Sequence, residues 1–150
     1  MKATLLLLLL GACSGDSAPS ASVTAATPDQ ITPSIDELDD LTITIAYDDG
    51  DGDLGGGIAE IHDCRATGLV TELPIPDIAP PDVVGERIEG TLSLLVTDIG
   101  AIAPGTQPDL CQELGVDPLG PNEAVFCVVL VDAAEHAGGG DCTQAVTLLE

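Results

Sequence analysis

The chain has 150 residues, with 26 aspartates and glutamates against 3 lysines and arginines, and a formal net charge of −23. Such a surface repels nucleic acid and anionic lipid headgroups, so nucleic-acid binding is excluded. Tyr47 and Phe126 are the only aromatic residues, which argues against a carbohydrate-stacking surface or a large aromatic core. Most of the acids are Asp, set in turns between alternating Val, Ile, Leu and Thr runs, and that is not the composition of a wholly disordered chain. An acidic, lysine-poor balance also suits a saline habitat, with no charge-dependent function attached.

Lys2 precedes an apolar run over residues 3–12, six of them consecutive leucines, that ends in small residues. A positive start, a short apolar stretch and a small-residue end make an export signal. The run is far shorter than the roughly 20 residues of a membrane-spanning helix, and acids interrupt every later hydrophobic stretch. Leu10-Gly11-Ala12-Cys13 resembles the lipobox of bacterial lipoproteins. The resemblance implies that Cys13 receives a diacylglycerol on its sulfur, that residues 1–12 are removed as signal peptide, and that the new amino group is acylated with a palmitate-type chain. At about 0.8 kcal/mol per buried methylene one chain holds marginally, and two or three hold durably. The membrane is then a partner through the N-terminal lipid. Ser14 stands where an Asp would favour the inner membrane, which implies the outer membrane in a Gram-negative host. An ordinary secretory signal with an incidental Cys13 is the alternative. Removing the signal leaves Arg65 and Arg87 against all 26 acids.

Residues 13–29 are rich in Ser, Ala, Thr and Pro without an apolar period, and read as a lipidated Cys followed by a flexible tether. Its reach is roughly 20 Å by random-coil scaling. Residues 30–150 read as one domain. Leu41, Ile43, Ile45 and Tyr47 alternate with Thr42, Thr44 and Ala46, a strand with one buried face. Residues 48–57 (DDGDGDLGGG) read as a loop. Residues 58–64 and 69–75 read as strands, the second with Pro74 at an edge or end. Residues 87–97 form a further strand. The connection 101–122 contains one helical turn near 108–114. Residues 124–131 (AVFCVVLV) are apolar on both faces, as in a central strand. Residues 132–141 read as a turn, and 142–149 as the last strand.

About seven short strands joined by Gly, Pro and Asp turns predict an all-β, antiparallel β-sandwich. Tyr47-Asp48-Asp49-Gly50-Asp51-Gly52-Asp53-Leu54 and Val129-Leu130-Val131-Asp132-Ala133-Ala134 resemble two turns of bacterial immunoglobulin-like or fibronectin type III-like domains, over residues 30–149. Glu135-His136 stands where Gly-Asn is usual. The resemblance implies architecture and not activity.

Cys64, Cys111, Cys127 and Cys142 make an even set in an exported chain, hence two disulfides. None has zinc-like spacing. With Val131 opposite Gly138 in the last hairpin, Cys127 faces Cys142. Cys64 is then left for Cys111, a bridge that stabilises by about 4 kcal/mol in the chain-entropy treatment. The pairings 64–127 with 111–142, and 64–142 with 111–127, remain open.

Asp49, Asp51, Asp53 and Glu60 match positions one, three, five and twelve of a calcium loop of the EF-hand kind. Leu54 occupies position six, where the sharp turn needs Gly, and the flanks are strands. In a sandwich the loops 48–57 and 132–141 share one end. Asp132, Glu135 and Asp141 then supplement Asp48, Asp49, Asp51 and Asp53 as ligands for Ca2+. A solvated acidic turn is the alternative, since Asp and Gly are the usual turn residues.

His62 reads as a surface strand histidine and His136 as a turn residue. The chain has no GxSxG, no HExxH and no phosphate-cradling glycine loop before a helix, so catalysis is not expected. The expected function is a lipid-anchored cell-envelope binding or structural module, stabilised by calcium, that engages another envelope protein. The rivals are a metal-capturing envelope lipoprotein and an enzyme with an unrecognised carboxylate pair.

Overall fold

The computed structural model describes residues 17–33, 39–78 and 85–149. Cys13 and the expected signal peptide lie outside the described residues. The period-two pattern at 41–47 becomes β3 (Leu41–Asp49), the centre of a three-stranded antiparallel sheet. Its neighbours are β1 (Ser20–Thr27) and β6 (Ile88–Val96). A four-stranded antiparallel sheet holds, in spatial order, β5 (Val70–Pro74), β4 (Ile58–Asp63), β8 (Phe126–Val131) and β9 (Asp141–Cys142). A small third sheet joins β2 (Gln30–Ile31), β10 (Val146–Leu148) and β7 (Glu123–Ala124), with β10 parallel to β2. A single short helix, α1 (Asp109–Glu113), appears among the described residues where one turn is expected. The chain is thus all-β and sandwich-like. Among the described residues no helix is long and apolar enough to cross a membrane.

The main core lies between the two larger sheets. Leu41, Ile43 and Ile45 of β3 meet Ala59 and Ile61 of β4 and Phe126, Val128 and Leu130 of β8. Each large aliphatic or aromatic side chain so buried contributes about 1.5–3 kcal/mol. The other face of β8 meets a second cluster of Cys64, Cys111, Val125 and Cys127, covered by Leu114, Val116 and Leu119. This is why β8 is apolar on both faces.

Three expectations need correction. The tether was expected to run through residue 29, but Ser20–Thr27 form β1, in register with β3 from Ser20↔Asp48 to Thr27↔Thr42. Its side chains are small and only partly buried, so no hydrophobic period announced it. The open edge of β3, a row of unpaired N–H and C=O groups, recruits it. Among the described residues ten strands stand where about seven were expected, partly because residues 142–149 break into β9 and β10, which belong to different sheets. The last hairpin also starts one residue off: Val131 bridges Ala137, not Gly138. The offset is absorbed before β9, so Cys127 still faces Cys142 and Val128 faces Asp141.

The two disulfides are Cys64–Cys111 and Cys127–Cys142, with Cα–Cα distances of 5.9 and 4.0 Å. Bridges of this kind belong to an oxidising, extracytoplasmic compartment.

Candidate cation site

Side chains alternate across a strand, and this decides the fate of the aspartates that end β3. Asp49 follows the parity of Leu41, Ile43 and Ile45 and turns inward at the rim of the core, fully buried. Asp48 turns outward and pairs with the exposed Arg87. Asp49 Oδ2 accepts the N–H of Leu54 at 2.8 Å. Leu54 is itself buried in the core, so the segment between them is a short loop fastened at both ends. Gly52, with φ of 76°, supplies its left-handed turn.

That loop brings Asp51 and Asp53 back over Asp49. One carboxylate oxygen from each of the three lies within 4.8 Å of the others. Asp49 Oδ1, Asp51 Oδ1 and Asp53 Oδ1 are all buried without a hydrogen-bond partner. Ser17 donates its N–H to Asp51 Oδ2 at 3.1 Å, and Ala133 donates to the Asp53 carbonyl at 3.1 Å. The loops 50–53 and 132–139 therefore meet at one end of the sandwich, and the disulfides lie toward the other.

The electrostatics follow from crowding three acids into a poorly solvated corner. Burial pushes the Asp49 carboxyl up, opposed by the Leu54 N–H and reinforced by Asp51. Asp53 is pushed up to about 6, first by burial and then by the charges of Asp132 and Asp51. Asp51 goes the other way. Burial would raise it, but the Ser17 N–H and the neighbouring Asp49 and Asp53 carboxyls together hold it below the usual range. The three carboxyls are close enough for their titrations to be linked. Carboxylates are acceptors only when ionised, so a proton or a cation must bring them together. All the donor atoms are hard oxygens, the set that suits Ca2+ or Mg2+ rather than a soft metal.

The other expected ligands are engaged elsewhere. Asp48 is held by Arg87 on the outer face. Asp141 Oδ2 accepts the Val23 N–H at 2.8 Å, and Oδ1 accepts its neighbour Cys142 N–H at 2.9 Å. Asp132 is buried close enough to raise Asp53, but its Oδ1 accepts the N–H groups of Ala134 and His136 at 2.9 and 2.8 Å. Its Oδ2 lies 3.2 Å from His136 Nδ1. Asp132 thus shapes its own turn and contributes field rather than a ligand. Glu60 lies on β4 with its carboxylate 3.3 Å from His62 Nε2, so the twelfth position of an EF-hand loop is not used. Leu54 at position six is a core residue, which is incompatible with the glycine turn of that motif. Glu135 takes a left-handed φ of 68° in the turn after Asp132.

Two groups escaped sequence reasoning. Ser17 sat in what read as tether. Arg65, 1% exposed, grips Asp63 through Nε at 3.0 Å and Nη2 at 2.6 Å, and donates to the carbonyls of Ile99 and Gly100. An arginine two residues after a strand-ending Asp was the only signal.

No protein-family model matches the chain, and neither a curated protein nor a solved structure matches it.

Proposed function

We propose that this protein is a calcium-stabilised, lipid-anchored structural or binding module of a bacterial cell envelope. The observation that carries the cation reading is the convergence of three buried, unpartnered carboxylate oxygens from Asp49, Asp51 and Asp53. A cation there neutralises the triad and fastens the loop to the core through Leu54. The anchor is supported by Leu10-Gly11-Ala12-Cys13, and the export that it needs agrees with the two disulfides. The antiparallel sheets packed over one core support an immunoglobulin-like display domain, whose acidic surface suits contact with a basic envelope component.

Calcium titration by calorimetry, with thermal melts in calcium and in chelator, tests the cation reading. One saturable site and a higher melting temperature in calcium are expected, and identical melts with no binding heat would refute it. A measured N-terminal mass tests the anchor: diacylated and N-acylated Cys13 is expected, and an unmodified cysteine or a retained leader would refute it.

A further inference from the structure

We propose that Ser17 Oγ is a protein ligand of the ion held by Asp49, Asp51 and Asp53, and that the ion thereby docks the N-terminal end of strand β1 onto the domain. This rests on the cation site described above.

Three observations converge on Ser17, and a fourth concerns Asp49 in the same cluster. Its N–H already donates to Asp51 Oδ2 at 3.1 Å, so the residue touches the triad directly. Its hydroxyl is buried, yet neither donates nor accepts. Leaving a buried polar group unmatched is unfavourable, and a hydroxyl on a residue whose N–H already contacts Asp51 is a neutral oxygen of the kind calcium coordinates. The Ser17 side chain also occupies the space where Gly50 would carry a Cβ. Gly50 lies between Asp49 and Asp51, so the hydroxyl sits directly on the loop that presents the carboxylates. Asp49 Oδ1, on a fully buried residue, is an unpartnered atom within the same cluster and points to a ligand independently of the acids' number.

The segment beyond Ser17 continues across the same end of the molecule. The Pro19 carbonyl fills the space beside Gly138, where a Cβ would clash. Ser20 bridges Gly139 and pairs with Asp48 at the start of the β1–β3 ladder. Residues 17–20 therefore lie over both acid-bearing loops. Elsewhere β1 is an edge strand of small side chains, of which Ala21, Val23 and Ala26 pack on the core only in part. A strand with so little apolar burial belongs to the low-stability end of a fold. Without a cation, mutual repulsion of the carboxylates opposes the N–H bond from Ser17 to Asp51.

The consequence concerns distance from the membrane. With Cys13 as the anchored residue, only residues 14–16 separate it from Ser17. Four extended peptide steps reach at most about 14 Å. A docked β1 keeps the domain close to the lipid surface, and an undocked end lets it stand off farther. Calcium concentration would set that distance.

The experiment pairs hydrogen exchange with calcium titration on the full exported chain. In the wild type, calcium chloride against chelator is expected to slow exchange of the Ser17, Ala21 and Val23 amides at least about tenfold. Ser17→Ala is expected to weaken calcium binding about five- to tenfold, and Asp49→Asn by far more. If the wild type binds calcium, unchanged affinity in Ser17→Ala together with ion-independent exchange over residues 17–27 would overturn the docking proposal and leave the site standing. Failure of the wild type to bind calcium would overturn both. The wild-type exchange measurement decides the matter even if a variant does not fold.

Discussion

The sulfurs of Cys64 and Cys127 belong to different disulfides, yet lie 3.3 Å apart in the buried cluster beneath β8. Antiparallel pairing of His62 with Cys127 brings this about, because Cys64 follows two residues after His62 just beyond the end of β4. The two staples therefore share one site.

That contact predicts disulfide exchange. In a Cys142→Ser variant, Cys127 becomes a free thiol beside the Cys64–Cys111 bond. Attack of its thiolate on Cys64 Sγ forms a Cys64–Cys127 bond, breaks Cys64–Cys111 and releases the Cys111 thiolate. Non-reducing peptide mapping of the variant should recover a Cys64–Cys127 peptide. Finding only Cys64–Cys111, at alkaline pH and after long incubation, would show that the sulfurs do not react.

The triad predicts an inverted pH dependence in the absence of metal. Asp53 titrates near 6 in the folded chain, against an ordinary value of 3.8. The folded state thus keeps a proton that the unfolded chain has lost, and stability declines as pH rises from about 4 to about 6. Asp49, also raised, adds to the decline. Asp51 and Asp48 are lowered, so their contributions are lost only on acidification below the ordinary carboxylate range. Asp132, whose charge helps to raise Asp53, lies 3.2 Å from His136 Nδ1 beside the triad. Calorimetric melts in chelator should show the decline, calcium should abolish it, and Asp53→Asn should flatten it. A chelated melting temperature that climbs through this window would contradict the arrangement.

The six aspartates first read as ligands should separate on mutation. Asp49→Asn is expected to weaken calcium binding at least a hundredfold, because a buried charged ligand is lost. Asp48→Asn and Asp141→Asn should keep the affinity within about threefold, since Arg87 and the β1 backbone already hold those carboxylates. Equal losses in all three variants would mean that general surface charge, not the triad, attracts the ion.

Arg65→Met should be costly. The substitution leaves the buried Asp63 carboxylate without its guanidinium partner, holding only the backbone N–H of residue 65, and removes the Arg65 donors to two carbonyls. Breaking a buried pair on one side destabilises by about 3–5 kcal/mol. Urea unfolding should register that loss. Asp63→Asn combined with Arg65→Met should recover part of it, because the stranded charge is then gone. A single-variant loss under about 1 kcal/mol would indicate that water reaches Asp63.

What the linear chain determined about this protein was periodic or local. The alternation of Leu41, Ile43 and Ile45 specified β3 and the inward parity that Asp49 inherits. The apolar run at 124–131 specified β8, and the spacing of the last hairpin placed Cys127 opposite Cys142 in spite of a one-residue offset at Val131. The acidic loop stood out by composition. The tertiary structure alone decided which acids face one another. Arg87, just before β6, withdraws Asp48, and the β1 backbone withdraws Asp141. Ser17, more than thirty residues away in sequence, joins Asp51. It also decided that Ser20–Thr27 is a strand. The physical reason is common to these cases: a carboxylate's partners, and an edge strand's backbone bonds, come from segments distant in sequence. Small polar side chains carry no hydrophobic period by which such contacts could be anticipated.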